Sequence, residues 1–517
     1  HVEDPKFSSN NTAYNCVRHA LIPSRGISKQ INTDPRTGEI MSANIIMFRD
    51  TPITLQRERI YQTAAVEPDV RGYELPEHLM VESLELAMIR EMGYLLGLTT
   101  NYAASSWMDT DSLRSPSFTQ REGLTSSVMD IIRYNYIAQP GDIEKGVKLT
   151  VDKLGVYDLY AIDWLYRLYN TKNQKEILKK KIEEKANDRR YLYGKAQHWS
   201  AYFDPRSMQE DLGKDKIAAA KYGIETLKYV AKNAPSWVNK DQAEESYREL
   251  FADFIFLKLH DYYRSLMVNI GGLELNPRYE GSELPPYVPV SPDLQRETVA
   301  FMLELIDNLE WMNQPALLQM SGMNANFTEF FANNLIPLLY QRVPVLAFSQ
   351  TKEPIGGGPV GSSYKPYTVD ELLGDIQEFA LINVRKGEAP SAGQKAALFS
   401  LTHYLIQSSD LPNVKKAKAL KGTALQLAED NSYYSYNNVR MRCMPQSNNF
   451  HANEFDVTGS ETSSFETLTG INYLSIEDIR PVIYKQLLNL KGQLKRASSR
   501  MKSKKEKSVV DYLIIAD

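Results

Sequence analysis

The stretch Ala87-Met-Ile-Arg-Glu-Met-Gly-Tyr-Leu-Leu-Gly-Leu-Thr-Thr-Asn101 holds the most informative pattern in this chain. Apolar side chains within it and upstream of it recur at helical spacing, which predicts a long helix over residues 77–96. Glu91 lies in the last turns of that helix, and Gly97 follows it directly. A glycine just past the last periodic residue is a common helix end. The stretch therefore predicts a helix that carries one carboxylate close to a sharp exit turn.

The spacing of Glu91 and Gly97 is that of the metzincin zinc-protease helix, H-E-x-x-H-x-x-G-x-x-H. In that motif two histidines at i and i+4 bind zinc and the glutamate acts as general base. The glycine turns the chain back so that a third histidine completes the site. In this chain the three histidine positions hold Arg90, Tyr94 and Thr100. We therefore expect the frame of a zinc protease with its metal ligands replaced, and no metal cofactor.

The chemistry of these three side chains supports that expectation. Zinc in a hydrolase normally has three protein ligands. Arg90 has no lone pair to donate and stays positive, Tyr94 is able to ligate only as a phenolate, and Thr100 is a poor donor. None of the seven histidines belongs to an H-x-x-x-H pair. A replacement site built from distant residues stays open, and under that alternative the chain is an active zinc endopeptidase with non-standard ligands.

Glu91 has two interpretations. It is a general base in the zinc enzymes, but without a metal-bound water it has no useful proton to remove. The favoured interpretation is a remnant helix carboxylate that is paired to an arginine or a tyrosine. Arg90 and Tyr94 share a helix face at i and i+4. We expect them to stack, with the guanidinium filling the emptied metal position.

The residues ahead of the helix predict a small β structure. Strands are expected at 14–22 and 39–48, with a turn at 34–38 where Pro35 and Gly38 suit a tight reversal. Together these predict a β-hairpin ahead of the helix. Residues 55–70 are ambiguous between classes and are interpreted as helical.

From about residue 150 the pattern changes to helices. They are predicted at 156–169, 174–190, 215–233, 240–269, 291–312, 327–341, 369–385, 391–408, 414–430 and 476–507. Two linkers are expected, a Pro/Gly-rich one at 273–292 and a Gly-rich loop at 352–363. Residues 430–468 are polar with little periodicity, which predicts an irregular segment.

Many short motifs in fixed order resemble one protein family. They are Asp34-Pro-Arg-Thr-Gly-Glu-Ile40, Asn101-Tyr-Ala-Ala-Ser-Ser106, Asp111-Ser-Leu-Arg-Ser115, Ser127-Val-Met-Asp130, Ala138-Gln-Pro-Gly-Asp142, Gly155-Val-Tyr-Asp158 and Asp211-Leu-Gly213. The chain resembles the zinc-dependent metalloproteases of Bacteroidota, which combine a metzincin-like zinc-binding domain with a helical region. The resemblance implies that Met129 occupies the Met-turn, the methionine that packs beneath the metal site. It also implies that the strand before the helix, residues 40–48, is the edge of the cleft that takes a peptide as an added strand.

The predicted fold class is α+β and mainly helical. Residues 1–150 are expected to form the C-terminal part of a metzincin or zincin-like domain without its N-terminal part, and residues 151–517 a mostly helical domain. The chain starts at His1 rather than Met, so we expect a piece of a longer exported precursor.

Composition limits the partners. A net charge of −4 does not favour nucleic acid, and no apolar run approaches the length of a membrane span. The 31 tyrosines suit an exported or cell-surface protein, and the family resemblance implies the periplasm or the outer membrane. Two cysteines, Cys16 and Cys443, are too few for a disulfide framework. The predicted function is an inactive metalloprotease homologue that acts as a peptide- or protein-binding or scaffold subunit of a cell-envelope complex. The expected partner is a protein or peptide, either the missing N-terminal part or an outer-membrane complex. A purely structural protein with a closed cleft stays open as a third interpretation.

Overall fold

The computed structural model describes residues 7–8, 11, 14–24, 26–72, 74–195, 203–237, 245–276, 284–321, 326–352, 364–408 and 478–501. Within these residues the fold is α+β and mainly helical, which confirms the predicted class. Several predicted features lie outside the described residues: the helix at 414–430, the irregular segment at 430–468, Cys443 and nearly all of the Gly-rich loop at 352–363.

The chain begins with a small sheet of three strands, β1 (Cys16–Ala20), β2 (Ile27–Thr33) and β3 (Ile40–Phe48). The strand order is β1-β3-β2, with β1 parallel and β2 antiparallel to β3. The predicted hairpin between the first and last of these strands is therefore wrong. The hairpin joins β2 to β3, and β2 escaped prediction because its residues 28–30 are polar.

The turn between β2 and β3 is the one that the sequence predicts. Gly38 has a φ of +76°, a left-handed conformation that glycine adopts without steric strain. Its N–H donates to the carbonyl of Asp34 at 2.8 Å. This turn sets the register that brings β2 alongside β3.

Two helices follow the sheet, α1 (Thr51–Thr63) and α2 (Glu77–Leu95). The structure confirms α2 to within one residue of its predicted end, and α1 begins four residues before the predicted 55–70. One side of α2 covers the sheet, where Leu95 packs with Ile27 and Ile45. Its other side, which includes Leu86, joins the main core. The helix is thus held between the sheet and the rest of the protein.

The remaining structure is a helical assembly. Its helices are α3 (Pro116–Glu122), α4 (Val156–Tyr166), α5 (Gln174–Lys185), α6 (Lys216–Trp237), α7 (Glu245–Met267), α8 (Pro292–Asp307), α9 (Pro315–Ser321), α10 (Phe327–Tyr340), α11 (Val343–Ser349), α12 (Val369–Ala380), α13 (Ile382–Lys386), α14 (Ala392–Ser408) and α15 (Arg480–Ser498). One continuous apolar core runs from Ile60 in α1 to Leu494 in α15. The division of the chain at residue 150 stays a prediction.

The segment predicted as a linker at 273–292 contains regular structure. Two short strands, β4 (Leu273–Leu275) and β5 (Tyr287–Pro289), pair antiparallel there. The short helices α9 and α11 also escaped prediction, because seven residues give too little periodicity to detect. In the part of the chain that the structure describes, no helix is both long and apolar enough to cross a membrane.

Candidate functional site

The end of α2 is shaped by Gly97. Its φ is +82°, which a residue with a Cβ adopts only with strain. The N–H of Gly97 donates to the carbonyl of Tyr94 at 2.9 Å, and the N–H of Leu98 donates to that of Gly93 at 3.0 Å. These two bonds form a Schellman motif, which ends the helix and reverses the chain. The reversal brings Thr100 back alongside the last turn of α2, next to Tyr94.

Two of the three predicted ligand positions contact each other directly. The hydroxyl groups of Tyr94 and Thr100 lie 2.9 Å apart and share a buried hydrogen bond. The Gly97 turn therefore brings these two side chains together, which is the spatial relation that the motif spacing predicts.

Arg90 has a different role from the one expected. Its Nη2 donates to the carbonyl oxygens of Asp130 and Ile132, at 3.0 and 3.1 Å. The cation over the Tyr94 ring is Lys29 of β2, whose Nζ lies 3.3 Å from the ring centroid. The positive charge expected from Arg90 at Tyr94 is thus supplied from the neighbouring strand. Arg90 instead ties α2 to the backbone that follows Met129.

A small cavity lies between α1 and α2, beside Arg90 and Glu91. Its volume is about 40 Å³, and Arg90, Glu91 and the ion pair of Arg133 with Glu58 are among its lining groups. That volume holds a few water molecules, since one water needs about 10–15 Å³. The cavity beside Glu91 is therefore too small for an amino-acid side chain of a ligand.

Met129 packs against α2. A Cβ added to Gly93 would lie 2.3 Å from the Met129 sulfur, so only glycine leaves room for this contact. The carbonyl of Met129 accepts the N–H of Asn101 at 3.0 Å. Sequence reasoning missed Gly93. A glycine inside a helix costs about 1 kcal/mol of stability relative to alanine. A glycine at such a position therefore indicates that close packing requires it.

The turn that presents Met129 is held by Asp158 at the start of α4. This carboxylate accepts the Ser127 hydroxyl at 2.6 Å and the Val128 N–H at 2.8 Å, and it also accepts the N–H of Gly155 at 2.8 Å. Burial raises the pKa of Asp158, and these hydrogen bonds oppose that rise. The conformation of the turn thus depends on a residue 30 positions beyond Val128 in the sequence.

Beneath this turn lies a group of buried charges that belong to the helical region. Asp211 pairs with Lys216 at 2.5 Å, and Lys258 of α7 pairs with Glu210 at 2.9 Å. Burial raises the pKa of Asp130 well above its usual range, and the charge of Asp211 adds to the rise. The segment after Met129 therefore rests on polar groups from beyond residue 150.

Glu91 is buried, with 4% of its surface exposed. Burial raises the pKa of its carboxyl, while the charges of Lys29 and Arg90 oppose the rise. A raised pKa means that the folded chain holds a proton that the unfolded chain has already lost. The free energy of unfolding therefore falls as pH rises from the unfolded pKa to the folded one.

We expect Glu91→Gln to remove this fall in the free energy of unfolding. The variant should be more stable than the parent at pH 7, and its stability should vary less between pH 4 and pH 7. Urea denaturation across that range measures both effects. Glu85→Gln, at an exposed position on the same helix, is the control and should change little. A Glu91→Gln variant less stable than the parent at pH 7 would contradict a remnant role for this carboxylate.

The side chains at positions 90, 94 and 100 do not fit a zinc ion. Zinc sites in proteins use thiolate, imidazole and carboxylate donors. Here the three positions offer a guanidinium, a phenol and an alcohol, and the ammonium of Lys29 lies on the phenol ring. Within the described ranges, no group of three or more His, Cys, Asp or Glu side chains is arranged to hold a metal.

The strand beside this site is β2, not β3. We expected residues 40–48 to form the edge of a peptide-binding cleft, but β3 is paired on both sides by β1 and β2. A strand with both sides paired has no backbone groups left for a peptide. β2 pairs only with β3 within the described sheet, and its Lys29 contacts the site. The correction follows from the strand that sequence reasoning missed.

A helix ended by a left-handed glycine, a chain reversal that brings two ligand positions together and a methionine packed beneath them define a zincin-type domain. The Met-zincin family model matches residues 72–386, more than half of the chain. The chain belongs to the Met-zincin family. No curated protein and no solved structure matches it.

Proposed function

We propose that this chain is a catalytically inactive Met-zincin homologue that binds an extended peptide or protein segment along β2. The observation that carries the proposal is the hydrogen bond between Tyr94 and Thr100 beside an open strand edge. The side chains at two of the ligand positions are bonded to each other, whereas β2 has no second partner strand within the described residues. Strand addition of this kind supplies affinity through main-chain hydrogen bonds.

The charges around the site support inactivity. A zinc ion would have to displace the hydrogen bond of Tyr94 and lie near the Lys29 ammonium. Like charges a few ångströms apart repel strongly in a partly buried site. An active zinc endopeptidase with non-standard ligands therefore needs changes at all these groups, and no contact in the described residues favours it.

The biological setting is a further part of the proposal. On the resemblance to metalloproteases of Bacteroidota, the chain is an exported protein of the periplasm or outer membrane. There it serves as a binding or scaffold subunit of a cell-envelope complex. Met129 is the Met-turn residue and Glu91 the remnant of the general base in this account, and histidines have been replaced at 90, 94 and 100.

Strand addition has a direct test with a labelled peptide. A fluorescein-labelled peptide Gly-Thr-Val-Thr-Phe-Thr-Val-Thr should bind the chain, as measured by fluorescence polarisation. Alternate residues of an added strand direct their N–H groups to the protein and the others face away. N-methylation of one alternate set should therefore weaken binding roughly tenfold or more, because each lost hydrogen bond is worth about 1 kcal/mol.

The matched control is the same peptide N-methylated at the other alternate set, which should bind like the parent peptide. Mass spectrometry of the mixture after one day with added zinc should find the peptide intact. Equal binding of the two methylated peptides would exclude pairing along a strand edge. No binding of the parent peptide would overturn the proposed groove, and cleavage would overturn inactivity.

A further inference from the structure

A second pocket lies beyond the exit turn of α2, away from the small cavity beside Glu91. Its volume is about 380 Å³, within the usual range for ligand pockets. One wall is the turn at residues 97–99 with Met129, and the opposite wall is α4 with Tyr193. Neither the family match nor the proposed strand pairing assigns a role to this pocket.

Aromatic rings dominate the pocket: Tyr157, Tyr160 and Trp164 of α4, and Tyr193. Tyr157 and Tyr193 are stacked, with ring centroids 6.3 Å apart and an angle of 15° between planes. The Tyr193 hydroxyl lies 2.7 Å from the hydroxyl of Thr99, which fixes this ring at the exit turn. The rings are thus held by neighbouring groups before any ligand arrives.

Trp164 lines the pocket with its apolar ring, because its indole N–H is buried and is not accessible to a molecule in the pocket.

The chemistry of the walls favours an aromatic guest over a cationic one. Aromatic rings attract further rings in edge-to-face or offset arrangements, and the Met129 sulfur adds a favourable contact. A cation already lies next to these rings, since Lys185 lies over Tyr191, which meets Tyr160 edge to face, whereas Lys181 is paired with Asp163. The charge of Lys185 opposes a guest that carries a positive charge of its own.

A series of side-chain contacts links the pocket wall to β2. Lys29 of β2 contacts the Tyr94 ring, and the Tyr94 hydroxyl contacts Thr100. Thr99, the neighbour of Thr100, is part of the pocket wall. We propose that this pocket binds an aromatic side chain of the peptide that pairs with β2. The peptide part of the proposal rests on the proposed function. The ability of the pocket to bind an aromatic ring does not.

The pocket is tested first without a peptide. In the full chain labelled with 5-fluorotryptophan, the ¹⁹F resonance of Trp164 is identified by its loss in Trp164→Phe. Titration with p-cresol should shift this resonance saturably and leave the other tryptophan resonances in place. Ala161→Phe, which adds a ring at a small lining residue, should abolish the shift. Trp164→Leu, a second variant with a smaller apolar side chain, should weaken the preference of the chain for a peptide with a central Phe over one with a central Gly.

The peptide is tested second. The labelled peptide with a central Phe should bind about tenfold more tightly than the same peptide with a central Gly, and Ala161→Phe should remove that preference. No p-cresol shift, or a shift with methyl glucoside instead, would overturn the pocket assignment. Equal binding of the Phe and Gly peptides would overturn it while leaving strand pairing intact. If neither peptide binds, the proposed function fails, and with it the peptide part of this inference.

Discussion

Replacing Arg90, Tyr94 and Thr100 together with histidine is expected to give a chain that binds about one zinc ion, where the parent binds almost none. The Gly97 reversal already brings positions 94 and 100 into contact, with 2.9 Å between their hydroxyl groups. Position 90 lies one turn earlier on the same helix. Three imidazoles in this frame supply the ligand number of a hydrolase site. Metal analysis after dialysis against zinc measures the change.

The control for this experiment changes the same positions without adding ligands. Arg90→Gln, Tyr94→Phe and Thr100→Val together should bind no more zinc than the parent. Circular dichroism checks that both triple variants keep the helical fold, because each loses the bonds from Arg90 to two carbonyls. A folded triple-histidine chain without zinc would contradict the view that the frame of the metal site is intact.

Gly155→Ala is expected to destabilise the chain by about 3 kcal/mol, at the upper end of the usual range for overpacking. A Cβ at this position would lie 1.9 Å from the carbonyl oxygen of Ser126 and 2.7 Å from the nitrogen of Ser127. Both are backbone atoms of the turn that presents Met129, so no side chain is able to move aside. The shift would also strain the bonds from this turn to Asp158. Urea denaturation should show a lower midpoint.

Gly492→Ala is the matched control for that variant. Gly492 lies inside α15, and nothing lies within 4 Å of an added Cβ. Alanine in a helix interior is more favourable than glycine by up to about 1 kcal/mol, so this variant should be as stable as the parent or slightly more so. A Gly155→Ala chain as stable as the parent would mean that the turn is not held as described.

The fold class and the central helix were predictable because their signals are local. Helical spacing of apolar residues extends over the whole of α2, and only glycine suits the left-handed position at Gly97. The same spacing indicated that positions 94 and 100 meet. β2 was missed because its local pattern is polar, and its strand character comes from pairing with β3. Missing it moved the expected cleft edge to the wrong strand.

The rest of the site depends on contacts between residues far apart in the chain. Lys29 reaches Tyr94 only through the sheet register, and Asp158 reaches the turn before Met129 only through the start of α4. Nothing in the spacing of either residue indicates its partner. Gly93 was a weak signal in the sequence, as a glycine inside a strongly predicted helix. That signal did not indicate its contact with Met129. Long-range packing therefore supplied the features that the local patterns lacked.

The central claim is that this Met-zincin chain does not bind zinc at the helix that ends at Gly97. The measurement that tests it most directly is the zinc content of the unaltered chain, by inductively coupled plasma mass spectrometry after dialysis against micromolar zinc. We expect far less than one zinc per chain, because positions 90, 94 and 100 offer no suitable ligand set and Lys29 adds positive charge. A content of one zinc per chain that Tyr94→Phe abolishes would contradict the account.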